Sequence, residues 1–227
     1  MAPYHIRKYQ DSDHRSVVDL FIKGLEEHIP TTFRHMLRLP RTHLLLFGIP
    51  LILFLASGSW LLALVSNLSL FASLWVLAKY TWKKYIVMCL RTDMADITTT
   101  YLSSRDSCFW VAESGGQIVG LVAAVPIMDP LLQKKQLKLC HLSVSLKHRR
   151  HGIGKALVRT VQRFAQAQGF SEVLVITSVF QHAALALYQS MAFQKTGESF
   201  FTVISKLRKS PMIHLKYCIT SALEGDP

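Results

Sequence analysis

Leu142-Ser143-Val144-Ser145-Leu146-Lys147-His148-Arg149-Arg150-His151-Gly152-Ile153-Gly154-Lys155 is the stretch on which the fold turns. Residues 137–145 alternate as a strand does. Beyond Lys155 apolar residues return at Leu157, Val161, Phe164 and Ala165, the spacing of an amphipathic helix, and Gly169 stands where a left-handed cap would close it. A strand feeding Gly-x-Gly and then a helix N-terminus is an anion site by physics. The glycines let the backbone approach a ligand, and several N–H groups point outward at the positive end of the helix. Arg149, Arg150 and Lys155 add side-chain charge. The loop has neither the GxGxxG of dinucleotide sites nor the GxxxxGK[ST] of nucleoside triphosphate sites. A diphosphate cradled by amides is the ligand class left, although two glycines alone also make a tight turn.

Working outward, residues 173–177 form a continuous apolar run, as a strand covered on both faces needs. Residues 183–191 read as a helix and Phe193 onward as strand. On the other side, residues 108–113 and 117–125 read as an antiparallel hairpin about Ser114-Gly115-Gly116, followed by a loop over residues 126–130. The N-terminus reads as a strand over residues 4–9, then a helix that starts at Asp11-Ser12-Asp13 and repeats apolar residues at Val17, Leu20, Phe21 and Leu25. Residues 85–102 read as a further helix. The element order is mixed α/β, interrupted by a hydrophobic insertion between the first two helices.

That insertion holds the excess hydrophobicity of a chain in which half the residues are hydrophobic. No residue from Leu44 to Ala78 is charged. As one helix the run would be about 52 Å long, against a bilayer core of about 30 Å. Breaks at Gly48 and Pro50, at Ser57-Gly58-Ser59 and at Asn67 leave two arrangements open, a helical hairpin or one tilted span preceded by an interfacial piece. Arg34, Arg38 and Arg41 before the run and Lys79, Lys83 and Lys84 after it fit a hairpin with both flanks cytosolic. The expected division is residues 1–41 as the first strand and helix, 42–80 as the membrane segment and 81–227 as the rest of the domain. The first forty residues are polar and basic, so no cleavable signal peptide is expected.

The net charge of +12 suits an anionic membrane surface or a polyanionic cofactor. Without an arginine-rich arm or zinc spacing, direct nucleic-acid binding is not expected. Cys89, Cys108, Cys140 and Cys218 form no CxxC pair and read as reduced thiols. The ten histidines show no paired ligand spacing, so no metal is expected.

Arg149-x-x-Gly152-x-Gly154 after Leu142-Ser143-Val144-Ser145 resembles the diphosphate-binding motif of the GCN5-related N-acetyltransferases. Ala184-Leu185-Ala186-Leu187-Tyr188-Gln189-Ser190-Met191-Ala192-Phe193 resembles their A-x-x-L-Y-x-x-x-G-F motif. The hydrophobic insertion, with Met1-Ala2-Pro3-Tyr4-His5-Ile6-Arg7-Lys8-Tyr9, Phe109-Trp110-Val111-Ala112-Glu113 and His148-Arg149-Arg150, is similar to the camello-like N-acetyltransferase 8 family. The resemblance implies the α/β acetyltransferase fold, a mixed and mostly antiparallel central sheet flanked by helices, and acetyl-CoA as cosubstrate. Its diphosphate would be held by Arg149, Arg150, Gly152, Ile153, Gly154 and Lys155, and its pantetheine arm by Leu142 and Val144. The Val144 N–H would polarise the thioester carbonyl, and Tyr188 would protonate the departing thiolate. The implied acceptors are the α-amino group of cysteine S-conjugates or protein lysines, histones included. The implied location is the endoplasmic reticulum membrane, continuous with the nuclear envelope, with the active site facing the cytosol. Ala192 replaces a common glycine, and the strand 137–142 carries no carboxylate base; His141, or Glu113 through water, is the candidate base. These departures motivate an alternative, a non-catalytic acetyl-CoA-binding or interaction protein on the same fold.

Overall fold

The computed structural model of the chain describes residues 4–127, 135–200, 203–207 and 209–219. Seven strands form one sheet: β1 (Tyr4–Lys8), β2 (Cys108–Ser114), β3 (Gln117–Ile127), β4 (Gln136–Val144), β5 (Glu172–Ser178), β6 (Gln194–Ser199) and β7 (Met212–Cys218). Their spatial order is β1-β2-β3-β4-β5-β7-β6, and only β4 and β5 run parallel. The crossover between those two is α5 (Ile153–Ala167), as a parallel pair requires. Gly115 and Gly116, with φ of 56° and 73°, make the tight turn of the β2–β3 hairpin. Of the expected loop over residues 126–130, Pro126 and Ile127 are strand, because β3 runs through Ile127; residues 128–130 lie outside the described residues.

The core lies between α5 and the sheet, where Val122, Ala124, Leu137, Leu157, Val158 and Val161 are fully buried. Gly120 allows that approach. A Cβ there would stand 3.0 Å from Leu157 Cδ1 and 3.1 Å from Ile153 Cγ2. At the sheet's first edge Arg7 ties three elements together, donating to Glu113 at 2.8 Å and to both carboxylate oxygens of Asp13 at 2.6 and 2.8 Å. Asp13 also accepts the Gln10 N–H at 3.0 Å, which fixes the entry to α1 (His14–Glu26).

The chain divides into two compact units, residues 1–24 with 89–227 and residues 25–88. The second unit holds α2 (Ile29–Leu37), α3 (Pro40–Ser57) and most of α4 (Trp60–Arg91). Pro40 sits in the first turn of α3, where its missing N–H costs nothing, and Gly58 ends α3 in the left-handed conformation with φ 67°. The uncharged run is therefore two helices joined at Gly58-Ser59. Asn67 of α4 donates to the Leu46 carbonyl of α3 at 2.9 Å, satisfying an amide in the uncharged part of the helix. Trp82 donates to Thr32 of α2 at 2.8 Å. Leu44, Phe47, Leu55, Trp60, Leu68 and Val76 are all exposed, and both helices are long and apolar enough to cross a membrane.

One expectation is corrected. No separate helix spans residues 85–102, because α4 continues through the lysine-bearing turns to Arg91. Nothing at Lys79, Lys83 or Lys84 breaks a helix, and a short wide turn at Thr98–Leu102 follows. Beyond Phe193 the chain forms β6 and β7, with α7 (Val203–Leu207) between them.

Candidate active site

β4 changes character at His141. From Gln136 to Leu139 it pairs with Glu172 to Val175 of β5, and there the pairing stops, although β4 runs on to Val144 and β5 to Ser178. The cause is on the other edge of β4. Leu121 lies opposite Ser143 but Ala123 lies opposite Cys140, so β4 carries one extra residue, a bulge that bends the strand away from β5. His141 sits in that bulge with φ 56°, a left-handed conformation that costs a non-glycine residue on the order of 1 kcal/mol. The result is a gap in the β4–β5 ladder, in the middle of the sheet.

Beyond the bulge, Ser145 donates its N–H to Val119 of β3 at 2.8 Å. Alternation therefore turns the N–H and C=O of Val144 toward the gap. The carbonyl is already taken by Arg149 Nε at 3.0 Å, which leaves the N–H for a ligand. Arg149 thus holds the end of β4 in place. Leu142 and Val144 pack their side chains against the core, so what they offer to the gap is backbone.

The chain then makes one short turn at Leu146–His148 and enters α5 through Arg150, at φ 67°, and Gly152, at φ 79°. Gly152 is the N-cap of α5, and the first turn carries no acidic residue to neutralise its positive end. Ile153 is buried, so it can contribute only its amide; Arg150, His151 and Lys155 are exposed around it. Gly154 is where three elements meet. A Cβ there would lie 3.2 Å from Leu187 Cδ2 of α6 (His182–Ser190) and 3.7 Å from Val144 Cγ2. The structure thus brings Val144, residues 152–155 and α6 to one end of the gap.

Tyr188 follows Leu187 on α6. It is 3 % exposed and packs on Phe193 with ring centroids 5.3 Å apart. Burial, and then the neighbouring Cys140 of β4, push its phenol well above the ordinary tyrosine range. Burial likewise pushes the Cys140 thiol up to about 11. The turn after α6 closes through Phe193 N–H to the Tyr188 carbonyl at 3.0 Å, with Ala192 at φ 62°. The left-handed position that suits glycine is occupied here by alanine.

Sequence reading missed what lies behind His141. Its Nε2 is 2.5 Å from Asp93 Oδ2, and the same oxygen accepts the Tyr101 hydroxyl at 2.5 Å. Thr92 donates to Asp93 Oδ1 at 3.1 Å. Burial would raise the Asp93 carboxyl, but hydrogen bonds and charge from His141, with Tyr101 and Thr92, outweigh it and hold the group far below the carboxylate range. Asp93 and His141 are 48 residues apart, so no spacing rule links them. Glu113, the other candidate base, is placed differently. It accepts from Arg7 and lies on β2, two strands from β4, or about 10 Å. Among the described residues no group of three or more His, Cys, Asp or Glu could hold a metal ion.

The sequence profile described as the acetyltransferase (GNAT) family matches residues 74–193. N-acetyltransferase family 8 member 7 of Mus musculus is 74% identical over 226 residues, covering 100% of both chains. N-acetyltransferase 8B of Homo sapiens is 56% identical over 225 residues, covering 99% of each. A GNAT-family acetyltransferase from Staphylococcus aureus shares the fold with a TM-score of 0.58 at 12% identity, covering 96% of this chain and 99% of the other.

Proposed function

The chain belongs to the acetyltransferase (GNAT) family and, within it, to N-acetyltransferase family 8, and we propose that it is a membrane-anchored enzyme that transfers the acetyl group of acetyl-CoA to an amine. The carrying observation is a gap between β4 and β5 that ends on an unneutralised helix N-terminus. An extended pantetheine arm has amides that suit the open backbone of Leu142 and Val144. A diphosphate suits the amides of residues 152–155, with Arg150 and Lys155 beside them. The acetyl thioester supplies the acyl group.

The residues around the gap divide the work. The Val144 N–H, its carbonyl already engaged, stabilises the oxyanion that forms when the amine attacks the thioester carbon. Tyr188 stays protonated at neutral pH and donates a hydrogen bond to the sulfur as the C–S bond breaks. A phenol with raised pKa is a weak acid in water. The Cys140 thiol, however, is pushed up to about 11 in the same surroundings, so a thiolate leaving beside Tyr188 is also more basic than in solvent. His141 takes the proton from the attacking amine. It is preferred over Glu113 because it lies in the bulge that opens the gap, whereas Glu113 is engaged by Arg7.

The exposed apolar helices α3 and α4 support anchoring in a membrane, for which the endoplasmic reticulum, with a cytosolic active site, is our reading. An anchored site favours an acceptor that partitions into lipid, so cysteine S-conjugates come before protein lysines or histone tails. Membranes containing the protein, given acetyl-CoA with S-benzyl-cysteine or with a histone-tail peptide, test this. Acetylation of the conjugate, reduced roughly 10²-fold in Tyr188→Phe with acetyl-CoA affinity unchanged, is expected. Transfer to the peptide alone would reverse the acceptor order, and Tyr188→Phe at full rate would remove the tyrosine from the mechanism.

A further inference from the structure

His141 is held more tightly than a base on a strand needs to be. Its side chain is 6% exposed, and Phe21 of α1 and Tyr101 stand edge-on to the imidazole at 88° and 83°. One ring nitrogen is bonded and the other is not. Nε2 meets Asp93 Oδ2, whereas Nδ1 has no partner among the described residues. The Tyr101 hydroxyl has one proton to give and gives it to the same Oδ2. Thr92, whose hydroxyl is shared with the Cys89 carbonyl, adds a donor at Oδ1, and the carboxyl, held far below the carboxylate range, is ionised and has no proton to offer. The hydrogen between Asp93 and His141 therefore belongs to Nε2.

We propose that Asp93, backed by Tyr101, is the positioning residue of this active site: it keeps the His141 proton on Nε2 and leaves the Nδ1 lone pair as the atom that accepts the proton of the attacking amine. This rests on the assignment of His141 as base. The amine proton moves to Nδ1 as the C–N bond forms, the imidazolium is stabilised by the Asp93 carboxylate 2.5 Å away, and no redox step or third reactant is involved. Asp93 touches neither substrate nor cofactor in this scheme. The titratable groups around the imidazole are Asp93 and Tyr101 from the segment after α4, Cys140 from β4 itself and Cys89 from the end of α4. Tyr188 of α6 reaches it only through Cys140, and α1 contributes the uncharged ring of Phe21.

A buried His–Asp pair can also be a mere staple, and pH separates the two roles. The assay is kcat/KM for acetylation of S-benzyl-cysteine by membranes containing the full chain, from pH 6 to 9, with each variant expressed as a ratio to wild type so that the substrate's own ammonium cancels. Asp93→Asn is expected to lower kcat/KM by roughly 10²-fold with acetyl-CoA affinity unchanged. Its ratio should climb toward low pH, because an imidazole without its anion resists protonation. Tyr101→Phe should lose less and tilt the opposite way, since a carboxylate relieved of one donor stabilises imidazolium more strongly. Should Asp93→Asn not fold, the sign of the Tyr101→Phe tilt decides alone. Flat ratios for the folded variants, with His141→Gln inactive, would overturn the positioning role and leave the base standing. Full activity in His141→Gln would remove the base itself.

Discussion

Ala192→Gly should stabilise the protein, and the amount follows from one backbone angle. Ala192 closes the turn between Tyr188 and Phe193 at φ 62°, and its side chain is exposed, so the substitution removes strain without opening a cavity. The left-handed conformation costs an L-residue about 1–2 kcal/mol. Glycine removes that cost but gives the unfolded chain more freedom, which returns about 0.4–1 kcal/mol. The net gain is about 0.5–1 kcal/mol, or roughly 2 °C in Tm for a chain of this size. Thermal unfolding of the purified full-length protein in detergent, with and without acetyl-CoA, reads it. Ala192→Val is the control in the other direction, because a branched side chain at this φ is a stronger outlier and should lower Tm. A glycine variant no more stable than wild type, beside a valine variant that unfolds at the same temperature, would refute the idea that this turn stores strain.

Gly152→Asp, at φ 79° and at the mouth of α5, adds both strain and a negative charge beside the proposed diphosphate; acetyl-CoA affinity measured by calorimetry should fall at least about 10-fold. Cys140 should resist iodoacetamide at pH 8, since a thiol raised to about 11 is about one part in a thousand thiolate there, while the exposed Cys218 is alkylated; peptide mass mapping distinguishes them. Arg7 and the Gln10 N–H hold Asp13 below its ordinary value of 3.8, against burial, so the folded state binds that proton more weakly than the unfolded one. That stability is full above about pH 4 and fades as pH falls through the depressed value; Arg7→Met should shrink, without abolishing, the fall in Tm between about pH 6 and about pH 2.5, because Asp93 is held low as well.

Much of this was legible in the residues because it depends on local backbone chemistry. Gly152 and Gly154 open α5, Gly169 ends its last turn at φ 71°, and Gly115-Gly116 turns the hairpin, each at a left-handed angle except Gly154, where Leu187 stands close. The uncharged run declared its helices by length, and Gly58 marked their joint. The bulge at His141 was not legible, since one extra residue in a strand leaves its composition unchanged and shows only in the register against β3. Asp93 and Tyr101 were invisible for a different reason. They follow α4 on a turn with no period, and the carboxylate that meets His141 comes from a segment 48 residues earlier, not from its own strand. Glu113 looked available in the sequence because Arg7 and Asp13, which complete its ion-pair network, come from another strand and a helix start.

An opening in the middle of a sheet is also an interior edge. Five residues of β4, Cys140 to Val144, and three of β5, Ile176 to Ser178, end the β4–β5 ladder with no rung between them. Unmatched strand edges are what foreign strands add to, and proteins ordinarily shield them with charge, bulges or a covering segment. The proposed cofactor would be the shield here: the amides of an extended pantetheine arm would pair with the open backbones of β4 and β5, and in its absence this interior edge would be the part of the sheet most open to an added strand.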